Sequence, residues 1–210
     1  MYTLYYLPGS CSLAVHVALK EVGAEYKLEN ISVPAGQSRS PEFLKVNPRG
    51  AAPVLKIGDF VLREGAAILT HLLDEHKSPL MPKSGLERAK VLEWLAFANS
   101  TLHPAYGRCF FAHKVLGDSV AENALYAPFI KSIQNYWDEI EQELQTKDYL
   151  CGDKCSIADI LVTVIANWSP AMKMPINFGP KTKEFFKRVT ARPSYQEAMK
   201  IEGVTYKVAA

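Results

Sequence analysis

Apolar positions along the first 75 residues switch between two periods. Residues 1–7, MYTLYYL, are dense in β-favouring side chains, while 12–22, SLAVHVALKEV, carry apolar residues at helical spacing until Gly23 stops the run. A second strand fits YKLENISV, residues 26–33, and a short helix fits SPEFLKV, residues 40–46. PVLKI, the turn Gly58-Asp59 and FVLRE read as a hairpin, and GAAILTHLLDEH, residues 65–76, as a helix. The order β-α-β-α-β-β-α predicts a mixed sheet with covering helices.

That order is the thioredoxin-like one. Beyond residue 77 the pattern changes: KSPLMPKSG holds two prolines and a glycine, and no convincing strand follows. The expected boundaries are an α/β domain over 1–78 and an all-helical domain over 84–210. Ser84 and Glu87 have capping-box spacing ahead of the long run LERAKVLEWLAFANSTLH, residues 86–103. Ser119 with Glu122 repeats the spacing, as does Ser156 with Asp159 ahead of IADILVTVIANW.

Composition narrows the partners. The chain has 210 residues, 48% apolar, enough to bury a substantial core. Its 24 basic and 22 acidic residues form no basic block, so nucleic acid is not an expected partner. The N-terminus lacks the charged start of a signal peptide, and no apolar run is long enough to span a membrane. Four cysteines, Cys11, Cys109, Cys151 and Cys155, are too few to staple a chain of this length and match no zinc spacing. They read as free thiols of a reducing, cytoplasmic compartment, with no metal.

Three short segments carry candidate chemistry. Cys11 follows Pro8-Gly9-Ser10 at the start of the first helix, where unpaired N–H groups and the macrodipole favour an anion. The dipole supplies about 0.3 to 1 kcal/mol when exposed. Lowering a thiol from about 8.5 to about 6.5 takes roughly 2.7 kcal/mol. Hydrogen bonds to the thiolate, about 1.5 to 3 kcal/mol each, close the gap, and Ser10, Ser12 and Tyr6 are nearby donors. The competing reading is a small apolar filler. In NPRGAAPVLKI a cis Ala52-Pro53 bond would free backbone groups to pair with an extended ligand, whereas a trans proline would simply open a strand. In REGAAIL, Gly65 would admit a ligand to a helix N-terminus and Glu64 would accept from its ammonium, or Glu64 is merely an acid in a first turn.

Taken together and in this order, YYLPGSCSLA, NPRGAAPVL and the Ser156-Ile-Ala-Asp159 box resemble the cytosolic glutathione transferases, and the first two resemble the bacterial beta class. The resemblance covers almost the whole chain. It implies that glutathione is the co-substrate, with its sulfur near Cys11 and Tyr6, its cysteinyl part on Ala52 and Pro53, and its γ-glutamyl end on Glu64 and Gly65. Arg39 is the implied partner of the glycyl carboxylate. His103 falls where the family carries a histidine of the helical domain. Pro104 behind it should disfavour helical geometry at His103, kink the helix and turn the imidazole toward the cleft between domains. Class members often have lysine where this chain has Pro104 and asparagine where it has Ala96. His16, His71, His76 and His113 match no motif and read as structural or solvated.

The implied reaction is attack of the glutathione thiolate on a hydrophobic electrophile held by Tyr106, Phe110, Phe111 and Trp168, with His103 as hydrogen-bond donor, acid or base. Two alternatives stand beside it: a thiol-disulfide oxidoreductase or peroxidase working through a Cys11 mixed disulfide, and a non-catalytic binder of hydrophobic compounds. A homodimer and a role in detoxification complete the expectation.

Overall fold

The computed structural model describes residues 1–32 and 36–208. The N-terminal run forms β1 (Tyr2–Tyr6), and the apolar stretch after it forms α1 (Ser12–Glu21). β2 (Tyr26–Asn30) is shorter than YKLENISV predicts. Its end has a local cause: the Asn30 side chain accepts from the Ser32 N–H at 2.9 Å, an Asx turn that competes with ladder bonding. Val33, the last residue of that expected strand, lies outside the described residues.

Ser40 caps α2 (Pro41–Val46) by accepting from the Phe43 N–H at 3.2 Å, with Pro41 at a position that needs no donor. The hairpin appears as β3 (Val54–Ile57) and β4 (Phe60–Arg63), followed by α3 (Gly65–Glu75). The strand order is β2-β1-β3-β4, with β1 and β2 parallel and the other pairs antiparallel. This is the mixed thioredoxin-like sheet expected from the pattern. Leu4 and Leu55 are paired across strands and fully buried. Their neighbours Tyr5 and Val54 point to the opposite face, against Ile31 and Phe43.

The remaining chain is helical: α4 (Gly85–Phe97), α5 (His103–Leu116), α6 (Tyr126–Glu143), α7 (Ile157–Ala166), α8 (Pro180–Thr190) and α9 (Pro193–Glu202). The helical geometry that Pro104 should disfavour at His103 is kept. His103 has helical backbone angles (φ −57°, ψ −50°), and the chain runs from α4 into α5 through a π-helical turn, Ala98–Leu102. Pro104 sits in the first turn of α5, where its missing N–H costs little, and the wide turn ahead of it absorbs the mismatch.

The Ser119–Glu122 spacing also misleads. Residues Gly117–Glu122 form a 3-10 segment in which the Ser119 hydroxyl donates back to the Leu116 carbonyl at 2.8 Å, and α6 starts only at Tyr126. The box at Ser156 is present. Asp159, fully buried, accepts from the Ser156 N–H and hydroxyl at 2.6 Å each and from the Leu150 N–H at 2.9 Å.

The chain divides into two compact units, Met1–Arg88 with Ala191–Thr205, and Ala89–Thr190 with Tyr206–Ala210. The last helix therefore folds with the first sheet. Residues 12–19 of α1 are all buried because α3 and α9 both pack on it. Among the described residues, no helix is long and apolar enough to cross a membrane.

Candidate functional site

In the first unit, the loop from Leu7 to Ser12 is held by its own hydroxyls. Ser12 Oγ accepts from the Leu7 N–H at 3.1 Å and donates to the Leu7 carbonyl at 3.0 Å. Ser10 Oγ lies 2.8 Å from Ser12 Oγ and accepts from the Ser12 N–H at 3.2 Å. Ser12 is thus a fastener of the loop, fully buried, while Ser10 is the hydroxyl that acts on Cys11.

Cys11 occupies the N-cap of α1, and its thiol donates to the Ala52 carbonyl at 3.9 Å. The N–H groups of Cys11 and Ser12 and the Ser10 hydroxyl favour the thiolate, as the sequence suggests. Burial outweighs them. Desolvation, with the charge of Glu64 adding to it, pushes the thiol up to about 11, so the expected acidification of Cys11 is reversed and the group stays protonated at neutral pH.

The Ala52-Pro53 peptide is cis and Pro53 is buried. Ahead of it, Asn47, a residue the motif reading passed over, donates to the Ala51 carbonyl at 2.8 Å and accepts from the Arg49 N–H at 3.2 Å. Gly50 has φ 63°, and a Cβ there would lie 2.7 Å from the Ser38 carbonyl and 2.9 Å from Arg39 Nη1. Only glycine lets that loop approach so closely. The approach brings Arg39, exposed and without an ion-pair partner among the described residues, beside the NPRG turn.

Glu64 stands at the N-cap of α3 with φ 71° and ψ 116°, a conformation uncommon for a residue with a Cβ. Its carboxylate accepts from Arg49 in an exposed ion pair. An exposed pair contributes only about 0 to 1 kcal/mol, so the carboxylate can be drawn off by a better cation. Gly65 opens the helix beside it.

Tyr6 is nearly buried and its ring lies against His16. Burial and the nearby Glu202 charge hold its phenol above the usual tyrosine range. His16 and Glu202 themselves form a network that sequence reasoning did not find. Glu202, on α9 with its side chain fully buried, accepts from the Gly9 N–H at 3.0 Å, and its other oxygen lies 2.9 Å from His16 Nδ1. His16 Nε2 lies 3.0 Å from the Tyr26 hydroxyl. The last helix is thereby tied to the loop that presents Cys11. The signal was a lone histidine in the apolar run SLAVHVAL, but its partner stands 186 residues away.

In the second unit, His103 is half-buried, and burial holds its imidazole below the ordinary value, favouring the neutral ring. Trp168 packs edge-on against it at 4.8 Å between centroids, and Phe110 meets the same indole at 6.1 Å. Tyr106 is wholly buried. Its hydroxyl accepts from Trp137 Nε1 at 2.8 Å and lies 2.5 Å from Ser169 Oγ, so it braces Trp168 from inside instead of lining a surface. Phe111 is exposed and belongs to a separate groove with Pro104 and Val115. The four aromatic residues grouped from the sequence therefore do not form one wall. Among the described residues, no cluster of three His, Cys, Asp or Glu side chains could hold a metal ion.

Comparison with known proteins places this geometry. Residues 1–74 match the family model described as glutathione S-transferase, N-terminal domain, and residues 118–193 the corresponding C-terminal domain. Glutathione S-transferase GstA of Escherichia coli O157:H7 is 28% identical over 206 residues, covering 96% of this chain and 98% of that one. A crystal structure of a glutathione transferase from Methylococcus capsulatus is 34% identical, with a TM-score of 0.85 over 97% of this chain and 99% of that one. A bacterial beta class glutathione S-transferase of Sphingomonas chungbukensis is 28% identical, with a TM-score of 0.80 over 97% and 100% of the two chains.

Proposed function

The chain belongs to the glutathione S-transferase family, and from that premise we propose that it joins the sulfur of glutathione to hydrophobic electrophiles. The observation that carries the reading is the 3.9 Å contact between the Cys11 thiol and the Ala52 carbonyl. It brings the donor-rich start of α1 to the segment on which a peptide backbone would lie.

Glutathione pairs through its cysteinyl part with the Ala52 backbone beside Pro53. Its γ-glutamyl ammonium displaces Arg49 from Glu64, with the adjoining carboxylate at the N–H groups opened by Gly65. Arg39 takes the glycyl carboxylate. Cys11 keeps its proton and turns it from Ala52 to the glutathione sulfur, and the Ser10 hydroxyl and the first N–H groups of α1 add further stabilisation of the thiolate. A thiol that ionises near 11 supports this donor role over a resting nucleophile that forms mixed disulfides. His103, Trp168 and Phe110 receive the electrophile, and a neutral imidazole can donate to a developing negative charge. A homodimer and detoxification of electrophiles in the cytoplasm belong to the same proposal.

The test is calorimetric titration with glutathione, together with thiolate absorbance at 240 nm and conjugation of an aryl halide. The wild type should bind glutathione and lower the pKa of its thiol. Cys11→Ser, which keeps a donor, should retain most conjugation, while Cys11→Ala should lose roughly tenfold in kcat/KM. Absence of glutathione binding, or a bound thiol that titrates as in water, would refute the reading.

A further inference from the structure

Three rings of α5 meet one indole. His103, Tyr106 and Phe110 follow each other at spacings of three and four and so share a stripe of the helix. Trp168 lies against all three, at 4.8, 6.0 and 6.1 Å between centroids and at steep interplanar angles of 66°, 81° and 64°. The indole is half-buried and Phe110 is 38% exposed, whereas Tyr106 is wholly buried.

The backbone does not hold Trp168 as a helix would. α7 ends at Ala166, and Trp168 stands just ahead of the 3-10 turn Ser169–Ala171. Its N–H donates to the Ile165 carbonyl at 3.0 Å, and its carbonyl accepts from the Ala171 N–H at 3.0 Å. Such tight turns have poorer hydrogen-bond geometry than an α-helix, so side-chain contacts decide more of the tilt.

The next residue supplies one. Ser169 Oγ lies 2.5 Å from the Tyr106 hydroxyl, and that hydroxyl accepts from Trp137 Nε1 at 2.8 Å. An indole nitrogen only donates, so Trp137 occupies a lone pair of the phenol and leaves the phenol proton to place. Burial holds the phenol above the usual tyrosine range, which keeps that proton on the oxygen. Among the described residues Ser169 Oγ is the acceptor in reach, and a buried donor without one is strongly disfavoured. Trp137 and Ser169 are buried as well. The relay Trp137–Tyr106–Ser169 therefore ties the turn that carries Trp168 to α5 and α6.

Aromatic rings attract in offset or edge-on geometries, and an electron-rich indole favours an electron-poor partner. A fixed tilt helps a flat ring more than an alkyl chain, whose burial is non-directional. We propose that Tyr106 is a positioning residue of the electrophile site: its bond to Ser169 fixes the tilt of Trp168, and the site thereby selects flat, electron-poor rings. The inference rests on the reading of His103, Trp168 and Phe110 as the surface that receives the electrophile.

The test uses calorimetry on the full chain with two ligands that share the glutathione part and differ in the group they carry, S-(2,4-dinitrophenyl)glutathione and S-hexylglutathione. Tyr106→Phe and Ser169→Ala should each weaken the dinitrophenyl ligand about fivefold and leave the hexyl ligand within about twofold. The double variant should lose no more than either single one, because both remove the same bond. Trp137→Phe, which keeps the Tyr106–Ser169 bond, should lower thermal stability and leave the discrimination as in wild type. In 19F spectra of protein carrying 5-fluorotryptophan, the Trp168 resonance, identified by its loss in Trp168→Phe, should broaden in both single variants. Should Tyr106→Phe not fold, Ser169→Ala carries the same two readouts. Unchanged discrimination and a Trp168 resonance as sharp as in wild type would overturn the proposal, as would discrimination that falls with stability in every variant, Trp137→Phe included. A wild type that binds neither ligand removes the transferase reading, and the Trp168 resonance then decides the positioning role alone: broadened in the variants it stands, unchanged it falls.

Discussion

At the scale of single residues, two side chains behave against their local rule. Cys11 sits where a helix start should acidify it, yet burial wins and raises it to about 11. The raised value means that the unfolded chain releases this proton first. Stability from the neutral thiol is therefore complete below the ordinary thiol range near pH 8.5 and drains away as pH rises toward about 11. The difference in 240 nm absorbance between wild type and Cys11→Ser should show no thiolate step below about pH 9. A step centred near pH 7 would mean that the helix start outweighs desolvation. Glu64 is the second case, a non-glycine residue at φ 71°. Such a conformation costs on the order of 1 kcal/mol or more. Glu64→Gly should raise thermal stability while weakening glutathione binding, as denaturation and calorimetry on one preparation would reveal. The position of Cys11 was legible in the sequence, but the sign of its pKa shift was not. Desolvation depends on the residues that fold over the sulfur, and the Ala52 segment comes from 41 positions away.

Elements were read correctly where one local signal decided them. The hairpin of β3 and β4 needs only alternation and the Gly58-Asp59 turn, and α7 needs only its box. Asp159→Ala leaves the Ser156 and Leu150 N–H groups without their acceptor, and it should cost at least about 2 kcal/mol in urea denaturation. Spacing failed where two signals competed. Ser119 and Glu122 have the right separation, but the Ser119 hydroxyl is claimed by the Leu116 carbonyl. Pro104 should disfavour helical geometry at His103, but His103 stays helical behind the π turn at Ala98–Leu102. The tether of α9 is an element-scale prediction of its own. Glu202→Ala strips the Gly9 N–H and the buried His16 of their partner and should cost about 3 to 5 kcal/mol, while Glu202→Gln, which keeps one acceptor, should cost less.

At the scale of the molecule, the first unit is not a contiguous segment. α1 is buried on nearly every side because α9, from the far end of the chain, packs on it along with α3. Residues 1–88 expressed alone should keep their sheet but lose protection in α1, where hydrogen exchange would be fast. Adding a peptide of residues 191–205 should restore that protection. Slow exchange in the isolated fragment would show that α9 is dispensable. What the sequence by itself determined is whatever depends on neighbours within a turn or a strand: the β-α-β-α-β-β-α order, the α7 box, and the three segments around Cys11, Pro53 and Glu64. Only the tertiary structure decided the partners of His16, the protonation of Cys11, the closure of the first unit by α9 and the separation of Phe111 from Trp168. Those depend on which distant groups exclude water from a given atom, and burial is a property of the packed chain that no short window of residues contains.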